Sequence, residues 1–202
     1  MRIKEGSRVK KSLEQAVSVA VAAGLAACGD NGGTSAHDID HGTYAPAGQG
    51  HGFSAERLAR TAEIVLDGPI AEVFPLFNPV EEPKWAPHFQ PRFIYPADRT
   101  VQQGMTFKTA GHGDEADLVW RINEFDPAAY HIQYLVYGKD RYWTITIDCR
   151  EADGGQTSAR VTYDFLPLEE AGVAASEASL NAMFAHDLKN WEDAINSYLG
   201  AR

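Results

Sequence analysis

The stretch that decides the fold is YHIQYLVYGKDRYWTITIDCR, residues 130–150. Apolar and polar side chains alternate through both of its halves, which is the pattern of β-strands that bury one face and wet the other. Residues 138–140 (GKD) interrupt the alternation as a turn does. We therefore predict two antiparallel strands, 130–137 and 141–150, joined by this turn.

The same alternation continues on both sides of this pair, so the sheet is predicted to contain about seven strands. The other five are expected at 61–66, 89–95, 105–109, 118–125 and 157–166. Two short helices are predicted after the first strand, one at 70–77 and one within the proline-bracketed residues 79–87.

The period changes in the last segment of the chain. Apolar residues recur there at intervals of three and four, namely Leu180, Phe184, Leu188, Trp191, Ile195 and Leu199. This spacing predicts one long amphipathic helix from about residue 176 to residue 199. A sheet with one apolar face and a helix with one apolar stripe bury each other. We therefore predict an α+β architecture in which a curved antiparallel sheet wraps around the C-terminal helix.

The composition is that of a globular protein. Of 202 residues, 44% are hydrophobic and 23% are charged, which excludes collagen-like and wholly disordered chains. The net charge is −10, from 18 basic and 28 acidic residues. Because nucleic-acid binding needs a basic surface, we expect no nucleic-acid partner.

The amino-terminal 27 residues have the pattern of a signal peptide. Residues 1–15 are basic overall, and residues 16–27 (AVSVAVAAGLAA) are uncharged and small or aliphatic. This run is shorter than the roughly 20 residues that a membrane-spanning helix needs. Its length is typical of the hydrophobic region of a signal peptide.

The run ends in Leu25-Ala26-Ala27-Cys28, which resembles the lipobox of bacterial lipoproteins. The resemblance implies cleavage before Cys28 and its acylation, and so a membrane-anchored protein of the cell envelope on the periplasmic or outer-surface side. More than one acyl chain makes such an anchor stable. The alternatives are a short helix that ends in a chance cysteine, or a misassigned start codon.

Three regions are therefore expected: a signal peptide at 1–27, an acylated cysteine with a flexible linker at 28–56, and one domain at 57–202. Glycine, serine, aspartate and proline dominate the linker. Its histidines have no rigid element to hold them, so no metal and no cofactor is expected. Acylation of Cys28 would leave Cys149 as the remaining thiol.

Two segments carry a resemblance to a known superfamily. Residues 67–74 (DGPIAEVF) and residues 82–87 (EPKWAP), together with the order of the elements over roughly 57–199, resemble the START-like (SRPBCC) superfamily of polyketide cyclases and lipid-transfer domains. That resemblance implies a helix-grip fold. It also implies a cavity between sheet and C-terminal helix that receives lipids, sterols, polyketides or similar hydrophobic molecules.

Aromatic residues are the candidates for the wall of that cavity, because they offer apolar area and, in tyrosine and tryptophan, one directed hydrogen bond. The predicted ligand-binding residues are Trp85, Trp120, Tyr134, Trp143, Tyr163 and Phe184. The alternative is that these rings fill a solid core. His88, near Trp85, is a weak candidate for a general base, since no carboxylate pairs with it in the sequence.

Three functions remain open from the sequence. The first is a membrane-anchored protein that binds a hydrophobic small molecule or lipid. The second is a cyclase-type or hydrolase-type enzyme that uses the same cavity, and the third is an interaction module without a pocket. The absence of phosphate-loop, zinc and serine-elbow motifs favours binding over catalysis. Protein partners and oligomeric state are not indicated.

Overall fold

The computed structural model describes residues 52–111 and 116–202. The predicted signal peptide, Cys28 and the linker up to residue 51 lie outside the described residues.

Seven antiparallel strands form one sheet in the order β1-β7-β6-β5-β4-β3-β2. They are β1 (Leu58–Leu66), β2 (Arg92–Tyr95), β3 (Thr106–Thr109), β4 (Leu118–Asp126), β5 (His131–Tyr137), β6 (Arg141–Glu151) and β7 (Thr157–Pro167). Strands β2 to β7 are sequential neighbours, and the first strand joins the sheet beside the last. The predicted α+β fold with a curved sheet and a C-terminal helix is confirmed.

The short helices after the first strand are also present. Helix α1 (Ile70–Val73) runs directly into a 3₁₀ helix, Phe74–Phe77, and a second 3₁₀ helix covers Glu82–Lys84. At the other end of the domain lie α2 (Glu170–Met183) and α3 (Lys189–Gly200).

The C-terminal helix differs from the prediction in its continuity. The predicted stripe over 176–199 is divided between α2 and α3, because Asp187 and Leu188 have φ values of 48° and 59°. These left-handed conformations cannot continue a right-handed helix. The side chain of Leu188 is only 1% exposed, so burial of this residue accompanies the break.

The core lies between the inner face of the sheet and the helices. Ile132, Tyr134 and Val136 of β5 are buried, as the alternation predicts, and so is Ile195 of α3. The outer face is polar: the Asn123 amide donates to the Gln133 oxygen at 2.8 Å, and the Gln133 amide donates to the Thr146 hydroxyl at 3.0 Å. The sheet therefore has one apolar and one polar face.

Helix α3 is fixed to the edge strand β1 by side chains that bond to its backbone. The Asn196 amide oxygen accepts from the Asp67 N–H at 2.8 Å, and its nitrogen donates to the Val65 carbonyl at 3.1 Å. Glu192 accepts from the Val65 N–H at 3.0 Å. These bonds satisfy backbone groups that a sheet edge would otherwise leave open.

None of the helices in the described part of the chain has both the length and the apolar character that crossing a membrane requires.

Helix α2 approaches the turn between β5 and β6 so closely that only glycine fits at Gly172. A Cβ atom there would lie 2.2 Å from the Asp140 carbonyl oxygen. We expect Gly172→Ala to destabilise the protein by at least about 2 kcal/mol in urea unfolding, since backbone must move to relieve the clash.

Gly200→Ala is the matched control, because nothing lies within 4 Å of a Cβ at that helical position. It should be neutral or stabilising by up to about 1 kcal/mol, as alanine favours helix. Equal unfolding midpoints for the two variants would contradict this close approach.

Candidate functional site

Two buried hydrogen bonds hold residues 74–85 against the inner face of the sheet. The Trp85 indole N–H donates to the Leu76 carbonyl at 2.8 Å, and the Tyr134 hydroxyl donates to the Phe77 carbonyl at 2.7 Å. Both acceptors belong to the 3₁₀ helix Phe74–Phe77, where the last carbonyls have no partner within the helix. The two aromatic donors therefore satisfy this helix end and position the segment that follows.

The chain then turns at Asn78 into the second 3₁₀ helix. The Asn78 side-chain oxygen accepts from the N–H groups of Val80 and Glu81, each at 2.9 Å, and its carbonyl accepts from Glu82 N–H at 2.9 Å. Asparagine stabilises turns in this way. Glu81 forms an ion pair with Lys84 at the surface. Glu82, the next residue along, instead lies among interior groups.

The environment of Glu82 is unusual for a carboxyl group. Its side chain is partly buried and has neither hydrogen-bond nor ion-pair partner within residues 52–111 and 116–202. Loss of hydration raises the pKa of this carboxyl to about 8. Burial, and secondarily the nearby charge of Glu82, raise the pKa of the Tyr134 and Tyr163 hydroxyls above the ordinary value. At neutral pH Glu82 is therefore mainly protonated.

Aromatic rings of β7, of α3 and of the turns that precede and follow the helices lie near Glu82. Tyr163 of β7 contacts Phe184 with ring centres 5.8 Å apart and Trp191 of α3 at 6.4 Å, both edge to face. Trp191 also contacts Trp85 at 5.5 Å. We call Glu82, Trp85, Tyr134, Tyr163 and Trp191 the inner site. Like the Glu82 carboxyl, the Tyr163 hydroxyl has no hydrogen-bond partner in the described part of the chain.

The structure brings five of the predicted ligand-binding residues into or beside the inner site, and these are Trp85, Trp120, Tyr134, Tyr163 and Phe184. Trp120 stacks on Phe107 at 5.6 Å, and its indole N–H donates to the Thr109 hydroxyl at 2.9 Å. Trp143 stacks on Phe165 at 4.9 Å and lies 5.5 Å below the Arg141 guanidinium. Trp120 is partly exposed and also contacts Tyr134 edge to face at 6.0 Å, whereas Trp143 is buried. Ligand contact by either residue stays a prediction.

His88 lies exposed in the turn after Trp85 and pairs with no carboxylate of the described residues. The role of His88 as a general base stays a prediction, and no carboxylate that would orient its imidazole lies beside it among the described residues. The residue that sequence reasoning missed is Glu82. The sequence offered one cue, namely a glutamate directly before Pro83 and three residues before Trp85. That cue does not distinguish Glu82 from Glu81.

A pocket lies beside the first residues of the same segment. It is an apolar pocket of about 130 Å³ lined by Phe74, Pro75, Asn78, Phe125, Pro127 and Ile132. Its volume is similar to that of the engineered cavity of about 150 Å³ that holds a benzene molecule. This pocket fits one ring and is too small for a lipid. Across residues 52–111 and 116–202, no cluster of acidic, histidine and cysteine side chains could hold a metal ion.

Replacing the ionisable group of Glu82 should change how stability depends on pH. In the unfolded chain this carboxyl loses its proton near pH 4.5, whereas the folded protein retains it to about pH 8. The folded state binds more protons between these values, so the wild type loses stability as pH rises through this range. Glu82→Gln removes this loss. We expect its stability relative to wild type to improve by at least about 1.4 kcal/mol, the equivalent of one pKa unit, from pH 5 to pH 9.

The measurement is urea unfolding at both pH values, with Glu81→Gln as the matched control. That substitution breaks a surface ion pair, which contributes little to stability in water, and should show no such gain with pH. Parallel stability curves for wild type and Glu82→Gln would show that Glu82 is not buried as described.

Known structures resemble this protein in fold, at low sequence identity. No protein-family model and no curated protein matches the sequence. Among solved structures, norcoclaurine synthase from Thalictrum flavum superposes with a TM-score of 0.57 at 11% identity, covering 74% of this chain and 90% of that one. A protein from Thermobifida fusca superposes with a TM-score of 0.52 at 19% identity, covering 72% and 93%.

Ara h 8.0201 has a TM-score of 0.51 at 17% identity, with 73% of this chain and all of that chain covered (100%). Norcoclaurine synthase and Ara h 8.0201 belong to the Bet v 1 (SRPBCC) superfamily. The identities are low, so the likeness concerns architecture and not activity. The chain has the helix-grip fold of that superfamily.

Proposed function

We propose that this protein binds a small hydrophobic molecule at the inner site, between the sheet and α3. The observation that carries this proposal is the pair of unpartnered polar groups, the Glu82 carboxyl and the Tyr163 hydroxyl, among aromatic rings. The oxygen atoms of both groups are not fully buried, so a ligand or water can reach them and serve as their hydrogen-bond partner. Aromatic walls with a few convergent polar groups are typical of small-molecule sites.

The fold supports the same proposal by analogy. One structure of norcoclaurine synthase from Thalictrum flavum is a complex with dopamine and hydroxybenzaldehyde, which are single-ring molecules. It superposes on this chain with a TM-score of 0.55 at 12% identity, covering 74% of this chain and 90% of that one. The dense ring packing around Tyr163 favours a ligand of one or two rings over a long-chain lipid.

Benzyl alcohol is a suitable first probe, because it has one ring and one hydroxyl. In NMR titration of the labelled protein, we expect saturable shifts of the Trp85 and Trp191 indole N–H signals with a roughly millimolar Kd. The Trp120 indole N–H, which is bonded to Thr109, should move less. Tryptophan-to-phenylalanine variants assign the four signals.

Tyr163→Phe removes the free hydroxyl and keeps the ring. The loss of one hydrogen bond should weaken benzyl alcohol binding by about threefold to tenfold. Tyr137→Phe, at an exposed position of β5, is the control and should bind as wild type does. The proposal is wrong if no saturable shift occurs, or if the two variants bind equally.

We further propose that the protein is held at a membrane of the cell envelope through acylated Cys28. The support is the resemblance of residues 25–28 to a lipobox, after a basic region and a short apolar run. An anchored domain would lie close to the bilayer, in which apolar ligands dissolve.

Expression of the full chain in a bacterium tests this anchor. We expect wild type in the membrane fraction, with acyl mass on the peptide that begins at Cys28, and loss of both in Cys28→Ser. Cys149→Ser is the matched control, because Cys149 is buried in β6 and burial raises the pKa of its thiol to about 12. Acyl mass that persists in Cys28→Ser would refute the anchor.

A further inference from the structure

Resting on the proposed function, we propose that the ligand of the inner site carries a basic nitrogen. Its ammonium group would pair with the Glu82 carboxylate while its apolar body lies against the rings of Tyr163, Trp85 and Trp191. The ligand class is therefore an amine with an aromatic or aliphatic body.

Glu82 has no cationic partner among the described residues. Lys84, two residues along, pairs with Glu81. On α3, Lys189 pairs with Glu192 and lies 3.1 Å from Asp193. Within the described ranges, no basic side chain forms an ion pair with Glu82. A ligand ammonium group would supply the positive charge that the ionised Glu82 carboxylate lacks among the described residues.

The aromatic rings of the inner site are inclined to one another. The planes of Trp85 and Trp191 meet at 61°, and those of Tyr163 and Trp191 meet at 71°. These inclined rings contact one another edge to face, and the electron-rich face of a tryptophan or tyrosine ring attracts organic cations. A metal ion would need several oxygen ligands, which tryptophan walls do not offer. An organic ammonium satisfies both the carboxylate and the rings.

Glu82 differs from its neighbours in the pH range in which it ionises. Tyr134 of β5 and Tyr163 of β7 face Glu82, and burial keeps both neutral by raising their pKa values. The charged groups of α3, Lys189, Glu192 and Asp193, pair among themselves. Lys84 pairs with Glu81 and lies near Tyr198 and Arg202. Glu82 is therefore the group in the inner site that titrates in this range.

Proton balance follows from these assignments. In the empty site at pH 7, Glu82 is mainly a neutral acid with a pKa of about 8. When an ammonium ion binds, the carboxyl gives its proton to solvent and becomes the carboxylate of the ion pair. When the free amine binds, the same proton passes to the nitrogen. Binding of the ammonium form thus releases up to one proton and strengthens as pH rises toward 8.

Benzylamine and benzyl alcohol form a matched ligand pair, since they differ only in the amino and hydroxyl groups. We expect the benzylamine affinity of the wild type to rise more than about tenfold from pH 6.5 to pH 8.5, because the ionised fraction of Glu82 rises correspondingly. The affinity for benzyl alcohol should be constant within about twofold. Calorimetry at pH 7 in two buffers of different ionisation enthalpy should show release of nearly one proton per benzylamine.

Glu82→Gln should remove the pH dependence and weaken benzylamine binding at pH 8.5 to the level of benzyl alcohol. Glu81→Gln should behave as wild type. The calorimetric proton release uses the wild type alone, so it decides the matter even if the Glu82 variant does not fold.

The outcomes separate this inference from the proposed function. If benzyl alcohol binds at the inner site and benzylamine shows neither pH dependence nor proton release, the amine assignment is wrong while the binding function stands. If neither compound binds at any pH, the binding function itself is refuted. If Glu81→Gln abolishes the pH dependence and Glu82→Gln retains it, the charge has been assigned to the wrong residue.

Discussion

The hydrogen bonds from Trp85 to the Leu76 carbonyl and from Tyr134 to the Phe77 carbonyl are the constraint on which the rest of the interior depends. They join the irregular segment between β1 and β2 to the centre of the sheet. A short 3₁₀ helix has few internal hydrogen bonds, so tertiary contacts must fix its position. Once it is fixed, the next turn places Glu82 beside Tyr134 and Tyr163.

Ionising Glu82 destabilises the folded state, and this cost points to a role for the residue in function. A partly buried carboxyl without a partner loses part of its hydration, which no group of the described residues replaces. Proteins keep such destabilising groups mainly where function requires them. Elsewhere in the interior, the Trp120 indole N–H donates to the Thr109 hydroxyl, and Trp143 stacks on Phe165. The inner site therefore differs in its unpartnered polar groups and not in the burial of its rings.

The break between α2 and α3 also shapes this site. If one straight helix had formed, the apolar stripe would have continued in a single direction. The left-handed residues Asp187 and Leu188 let α3 begin afresh, so that Trp191 reaches Trp85 and Tyr163 while Asn196 bonds to the β1 edge. The energetic cost of a left-handed leucine is offset by its complete burial. The same break places Phe184 against Tyr163.

The sequence by itself determined the strands, because burial of one sheet face requires apolar residues at every second position, and Ile132, Tyr134 and Val136 satisfy that requirement. It also determined which stripe of the C-terminal segment is buried. Only the tertiary structure decided where that segment breaks, since no local preference of Asp187 or Leu188 favours a left-handed backbone strongly enough. Only the tertiary structure distinguished Glu82 from Glu81, because neighbouring identical side chains differ solely in where a packed turn directs them.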